Sequence, residues 1–222
     1  MRPWFYGYGL GALLLAGTSL MTTGCVAEDQ VKRANGYYQE GLANLETDRQ
    51  LAFVSFQKAV QANPYHREAH YSLGDLYAVQ RRYKQAEEEF QKAIGIDSNY
   101  SEALNYLGQI YEQQGRWPEA VRAYRRALEN PLYTTPDLVR WNLGRALIHE
   151  GDYRGAAQAF EDALTVSPAS VPAAAIHLEL GRVYSRLGSM TKARESLGRV
   201  AGLDKDGQYA AEAKELMERL GR

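Results

Sequence analysis

Apolar residues recur at helical spacing along most of the chain, in paired stripes. Leu104, Leu107 and Tyr111 share one helical face, and Val121, Tyr124 and Leu128 share the next, as amphipathic helices require. The pattern itself repeats. Leu73-Gly74 is followed by Tyr77, Ala86, Phe90 and Ala93, and Leu107-Gly108 by Tyr111, Ala120, Tyr124 and Ala127. Leu143-Gly144 is followed by Leu147, Ala156, Phe160 and Ala163. A worn copy reads Leu180-Gly181, Tyr184, Ala193, Leu197 and Val200; an incomplete first copy reads Gly41, Ala52, Phe56, Ala59 and Pro64. Successive glycines are 33, 34, 36 and 37 residues apart, a period expected of stacked helix pairs. Gly115, Gly151 and Gly188 fall where the first helix of a pair must stop, as left-handed caps. Gly74, Gly108, Gly144 and Gly181 fall inside helices, where glycine costs about 1 kcal/mol relative to alanine. They imply a neighbouring helix so close that no Cβ fits.

The spacing also locates the irregular connections. The extra residues fall in Asn130–Asp137, where Pro131 and Pro136 break helix and Thr135 can cap the next one, and in Ser167–Pro172. The tail from Gln208 to Leu220 reads as one more helix. Ala211, Leu216 and Leu220 face inward, and Glu212, Lys214, Glu215, Glu218 and Arg219 face water, as a terminal cap needs.

These motifs resemble the tetratricopeptide repeat over nearly the whole chain after residue 33. The resemblance implies an all-α fold, a right-handed α-α superhelix of about five repeats with a C-terminal capping helix. The repeats are expected near 34–66, 67–100, 101–136, 137–173 and 174–206, and the cap over 207–222.

The start of the chain is different in kind. After Arg2, the run Trp4–Gly24 carries no acid or base except two tyrosines and ends Leu20-Met21-Thr22-Thr23-Gly24-Cys25. Residues 1–24 resemble a bacterial lipoprotein signal peptide, with Thr23 and Gly24 matching the small residues before the lipidated cysteine and Thr22 departing from the usual leucine. Cys25 is the only cysteine, so a disulfide framework and a cysteine-rich zinc module are excluded. The resemblance implies a lipid on Cys25, a tether over residues 25–32 and, since the residue directly after the cysteine is Val26 and not aspartate, a place on the periplasmic face of the outer membrane. The alternative is an uncleaved membrane helix, since 21 residues just span a hydrocarbon core.

Charge narrows the functions further. Lys and Arg number 26, Asp and Glu 27, for a net charge of −1; this gives no general attraction to nucleic acid. His66 and His70 lie one helical turn apart, but Glu68 between them suits neither zinc-protease motif, and an i, i+4 pair lacks the remaining ligands. His70 and His177 each stand four residues before a repeat glycine, where a packing side chain belongs. Gly7, Gly9 and Gly11 follow no strand and form no phosphate loop. No cofactor site, metal site or catalytic set emerges, so a binding protein is expected rather than an enzyme.

Laid on the repeat, the groove-lining positions are Tyr71, Asp75, Asn105, Gln109, Glu112, Trp141, Arg145, His149, Leu178, Arg182 and Arg186. The groove is acidic and amidic toward its N-terminal end, basic and aromatic toward the other. Arginines with aromatic residues are common anchors of protein recognition. Tyr71 and Asp75 stand where chaperone-binding repeats carry lysine and asparagine, which argues against a cytosolic co-chaperone. Asn130-Pro131-Leu132-Tyr133-Thr134-Thr135-Pro136, running on to Asn142-Leu143-Gly144, is similar to the corresponding connection of the type IV pilus biogenesis lipoproteins, the secretin pilotins. That resemblance implies a lipid-anchored adaptor that binds outer-membrane secretin subunits and promotes their localisation or multimerisation, in support of twitching motility. The alternative is a scaffold lipoprotein of another envelope machine, for outer-membrane protein assembly or a tight-adherence pilus.

Overall fold

A computed structural model describes residues 17–204 and 206–221, with side chains from residue 28 onward. The described residues form eleven helices and no strand. They are α1 (Gly17–Asn44), α2 (Arg49–Ala62), α3 (Arg67–Val79), α4 (Tyr83–Ile96), α5 (Ser101–Gln113), α6 (Trp117–Ala127), α7 (Pro136–His149), α8 (Tyr153–Ala163), α9 (Ala173–Arg186), α10 (Met190–Leu203) and α11 (Ala210–Leu220). The chain divides into two compact units, residues 1–69 and 70–222. Residues 1–16 of the expected signal lie outside the described residues, as does the Cys25 side chain. The backbone of the expected tether, residues 25–32, is helical within α1. No described helix is long and apolar enough to cross a membrane.

The first unit holds α1 and α2. Ala34, Ala52, Phe56 and Ala59 are buried, and Tyr38 packs on Phe56 and His66 at ring-centroid distances of 5.7 and 4.8 Å. Asp48 caps α2, its Oδ1 accepting from the Leu51 amide at 3.0 Å; such a cap satisfies an amide the helix leaves unpaired.

In the second unit the hairpins α3–α4, α5–α6, α7–α8 and α9–α10 share one internal device. The mid-helix glycine of the first helix lies under a side chain of the second. A Cβ on Gly74 would sit 2.8 Å from Phe90 Cε1, and one on Gly144 2.6 Å from Phe160 Cε1. Tyr124 covers Gly108 and Leu197 covers Gly181 in the same way, and in the first unit Phe56 covers Gly41. The neighbouring helix thus leaves no room for a Cβ, and it does so through a ring or branched side chain. All five covering residues are buried, so none swings aside without opening a cavity.

The turns behave as the sequence predicts, with one addition. Gly115, Gly151 and Gly188 have φ of +70°, +78° and +72°, the left-handed conformation that glycine adopts without strain. The equivalent residue of the α3–α4 turn is Arg81, at φ 58°; there a Cβ carries a cost of about 1–2 kcal/mol. Thr135 precedes α7, but its side chain makes no capping hydrogen bond. The residue after Pro136 holds this region instead. Asp137 is fully buried, and its Oδ2 accepts from the amides of Ser170 and Val171, the latter at 2.9 Å. It pins the α8–α9 connection to the start of α7. In α11 Ala213 is the buried alanine and Ala211 is exposed, a correction to the expected inward face.

Candidate binding face

The first helices of the second unit present one row of side chains, and the repeat position of each decides what becomes of it. Three residues before the glycine, the side chain turns into the packing of the hairpins. Tyr71 is half-buried against Phe90, Tyr100 and Tyr106, with centroids at 5.9, 5.4 and 5.4 Å. Asn105 is only 2% exposed, and its Oδ1 accepts from Asn142 Nδ2 at 3.1 Å. Trp141 is half-buried on Phe160 at 5.4 Å. Leu178 is 4% exposed, within a cluster of Ala174, Leu197, Val200 and Ala213. Asn105 and Leu178 therefore join repeat to repeat and do not line a surface for a ligand, contrary to expectation. Helical periodicity gives the side of the helix; it does not say that the adjoining helix covers that side.

Positions after the glycine reach the surface. Asp75 and Gln109 are half-buried, Arg145 is exposed, and Gln109 borders a slot of about 260 Å³ with Val79, Tyr83 and Tyr106. Exposed His149 stacks parallel on Trp117 at 3.7 Å. Arg182 pairs with Glu179 on its own helix and Glu212 on α11, whereas Arg186 is exposed and has no ion-pair partner among the described residues. Glu112 lies beside Tyr124, and neither Glu112 Oε1 nor the Tyr124 hydroxyl finds hydrogen-bonding geometry among the described residues. Burial raises the pKa of Glu112 above the usual carboxylate range, with Arg145 and Tyr124 opposing. Burial likewise raises that of Tyr124.

Two of the eleven expected members of the face, Asn105 and Leu178, belong to the packing. Sequence reasoning missed the recess between α7, α9 and α11, about 500 Å³ in volume, which Arg182, Arg186, Arg219, Leu216 and Leu220 border. The signal available was the tail's own arginine and leucine pattern, read as a solvated cap.

The two histidines considered for metal are otherwise employed. His66 Nδ1 accepts from the Ala69 amide at 3.3 Å and lies 3.3 Å from Glu68. His70 Nδ1 lies 2.6 Å from Glu89, which also binds Lys92. Among the described residues no group of three or more histidine, cysteine or acidic side chains is placed to hold a metal ion.

Two family models described as tetratricopeptide repeat match residues 65–131 and 147–220, together more than half of the chain. The chain belongs to the tetratricopeptide-repeat family. Repeats of this family form protein-interaction scaffolds. A comparison with curated proteins finds no match. Among solved structures, pilF of Pseudomonas aeruginosa is similar at 24% identity and a TM-score of 0.67, covering 86% of this chain and 93% of that one. PilW, described as a widely conserved type IV pilus biogenesis factor, is similar at 19% and 0.63, covering 84% and 92%. YrrB, described as a tetratricopeptide-repeat protein with an unusual peptide-binding site, is similar at 23% and 0.68, covering 90% and 98%. These likenesses establish the fold.

Proposed function

We propose that this tetratricopeptide-repeat chain is a lipid-anchored adaptor on the periplasmic face of the outer membrane. It binds secretin subunits and promotes their delivery or ring assembly in type IV pilus biogenesis. The observation that carries the reading is a single cysteine, behind an apolar leader and two small residues, ahead of an array with the fold of pilF and PilW. The connection through Asn130 and Pro136 adds to it. The chain works by holding rather than by chemistry.

The mechanism is tethering. Each acyl methylene contributes about 0.8 kcal/mol on burial, so a diacylated Cys25 stays in the membrane. A binding face on the same short chain then raises the local concentration of subunits, and individually weak contacts suffice. A permanent grip would hinder a subunit from joining its ring.

The test replaces Cys25 by serine in the native cell. The variant should fold and still capture secretin subunits in a pull-down, while secretin multimers in the envelope fall. Unchanged multimer levels would sink the proposal. The comparable likeness to YrrB favours a second reading, a peptide-binding scaffold for a different envelope machine. A native-envelope pull-down that returns other assembly proteins and no secretin would select it.

A further inference from the structure

We propose that the outward row of α6 and the turn that follows it seat on an anionic phospholipid surface, with arginines on the headgroup phosphates and Leu132 in the apolar layer beneath. The proposal rests on the reading of the chain as lipid-anchored, and it gives the anchored chain a second, protein-borne contact with its membrane.

Charge is the first support. α6 buries Ala120, Val121, Ala123, Tyr124 and Ala127 and turns Arg122, Arg125 and Arg126 to water. Spaced three and four residues apart, the three share one side of the helix. None of them has an ion-pair partner among the described residues, since Glu119, on the same helix, is held by Arg116. At the same repeat positions α4 carries Glu88, Gln91 and Lys92, with no net charge, and α8 carries Gln158, Glu161 and Asp162, with a charge of −2. The basic row is therefore local to α6 and is not a demand of the repeat.

Shape selects the ligand. The three arginines border neither of the recesses described above, so no wall encloses a small anion beside them. An open row meets a flat array of phosphates, and the guanidinium fork matches phosphate oxygens. The turn adds an apolar tip. Leu132 is 85% exposed, the most exposed large apolar side chain among the described residues, and it lies just past the end of α6 that carries Arg125 and Arg126. Asn130 holds it outward. Its Oδ1 accepts from the Leu132 amide at 3.0 Å, its carbonyl accepts from the Tyr133 amide at 3.2 Å, and its Nδ2 donates to the Asn99 carbonyl at 3.3 Å. Tyr133, next in the chain, packs against the core. Cations at headgroup level beside an apolar side chain below it are how a protein surface rests on an anionic bilayer.

The experiment footprints the arginines. The purified full chain, lipid in place, is carried on vesicles of phosphatidylcholine alone or with about one-third phosphatidylglycerol. Phenylglyoxal modification is then read residue by residue by mass spectrometry. Arg122, Arg125 and Arg126 should react at least about threefold more slowly on the anionic vesicles, and salt should erase the difference. Exposed Arg186 should react alike on both. Leu132→Ser, at an exposed side chain, should keep the fold and lower the protection about twofold. Equal reaction of the three arginines on both vesicles overturns the proposal, as does equal protection of Arg186. Unchanged protection in Leu132→Ser overturns the part given to the turn. Protection on neither vesicle alone, gained only when secretin subunits are added, overturns the lipid assignment in favour of an acidic protein. The same digest weighs the Cys25 peptide. A bare cysteine there sinks the anchor and leaves any measured protection standing, whereas a lipidated one with unprotected arginines sinks this proposal alone.

Discussion

Among the positions where the α5–α6 and α7–α8 hairpins differ, two bear on the ring that covers the repeat glycine. Tyr124 covers Gly108 with Glu112 alongside in the first, and Phe160 covers Gly144 with Ile148 at the place of Glu112 in the second. Both rings are fully buried. The packing is thus common to both, and α5–α6 sets a hydroxyl and a carboxyl at the covering ring where α7–α8 has apolar groups, its own buried carboxylate, Asp137, lying at the start of α7. A polar atom buried without a partner costs about 1–3 kcal/mol, so the two hairpins are equivalent in shape and unequal in electrostatics.

The largest effect should come from removing the rings. Phe160→Ala and Tyr124→Ala should each destabilise the fold by about 3–5 kcal/mol in urea denaturation. A much smaller loss at Tyr124 would break the claim that the packing is common. Next, Gly108→Ala and Gly144→Ala should each lose about 1–2 kcal/mol, overpacking against the ring outweighing the better helix propensity. Gly198→Ala in α10, where a Cβ meets nothing within 4 Å, should instead gain up to about 1 kcal/mol. If all three glycine variants were equally stable, the rings would not be what excludes a Cβ.

The electrostatic difference predicts a smaller, pH-dependent effect. Burial raises the folded-state pKa of Glu112 above its unfolded value. Its stabilisation is therefore complete below the unfolded carboxylate pKa and is lost as pH rises through the raised value. Tyr124→Phe should change stability by less than about 1 kcal/mol at neutral pH, since the hydroxyl it removes lies against the Glu112 carboxyl. Glu112→Gln should flatten the fall in stability between acidic and neutral pH, and an unaltered pH profile in that variant would refute the assignment. The smallest effect concerns the turns. Gly115 and Gly151 serve these two hairpins at positive φ, and Arg81 serves α3–α4 in the same conformation. Arg81→Gly should stabilise by about 1 kcal/mol in thermal melts.

The fold was legible in the sequence because its two signals are local. A glycine every 33 to 37 residues marks each first helix, and an apolar stripe marks each second one. The candidate face was legible less completely. Asn105 and Leu178 sit at the same repeat position as Tyr71 and Trp141, and helical spacing alone cannot tell which of the four a neighbouring helix will cover. Asp137 stood unnoticed beside Pro136, since its partners are the amides of Ser170 and Val171, more than thirty residues on. At α11 the spacing itself favoured Ala213, which stands three and seven residues before Leu216 and Leu220, whereas Ala211 lies nearly on the opposite side of the helix. Arg81 gave no sign, because a left-handed backbone at arginine leaves no mark in composition.

The side chain seated on a bare glycine has a consequence for growth. Each such clasp is made from two helices adjacent in sequence and is closed within a single hairpin. Duplication or loss of one hairpin therefore leaves every remaining clasp intact. A lineage can lengthen or shorten the array, and so its reach toward a partner, without redesigning the interior of any unit it keeps.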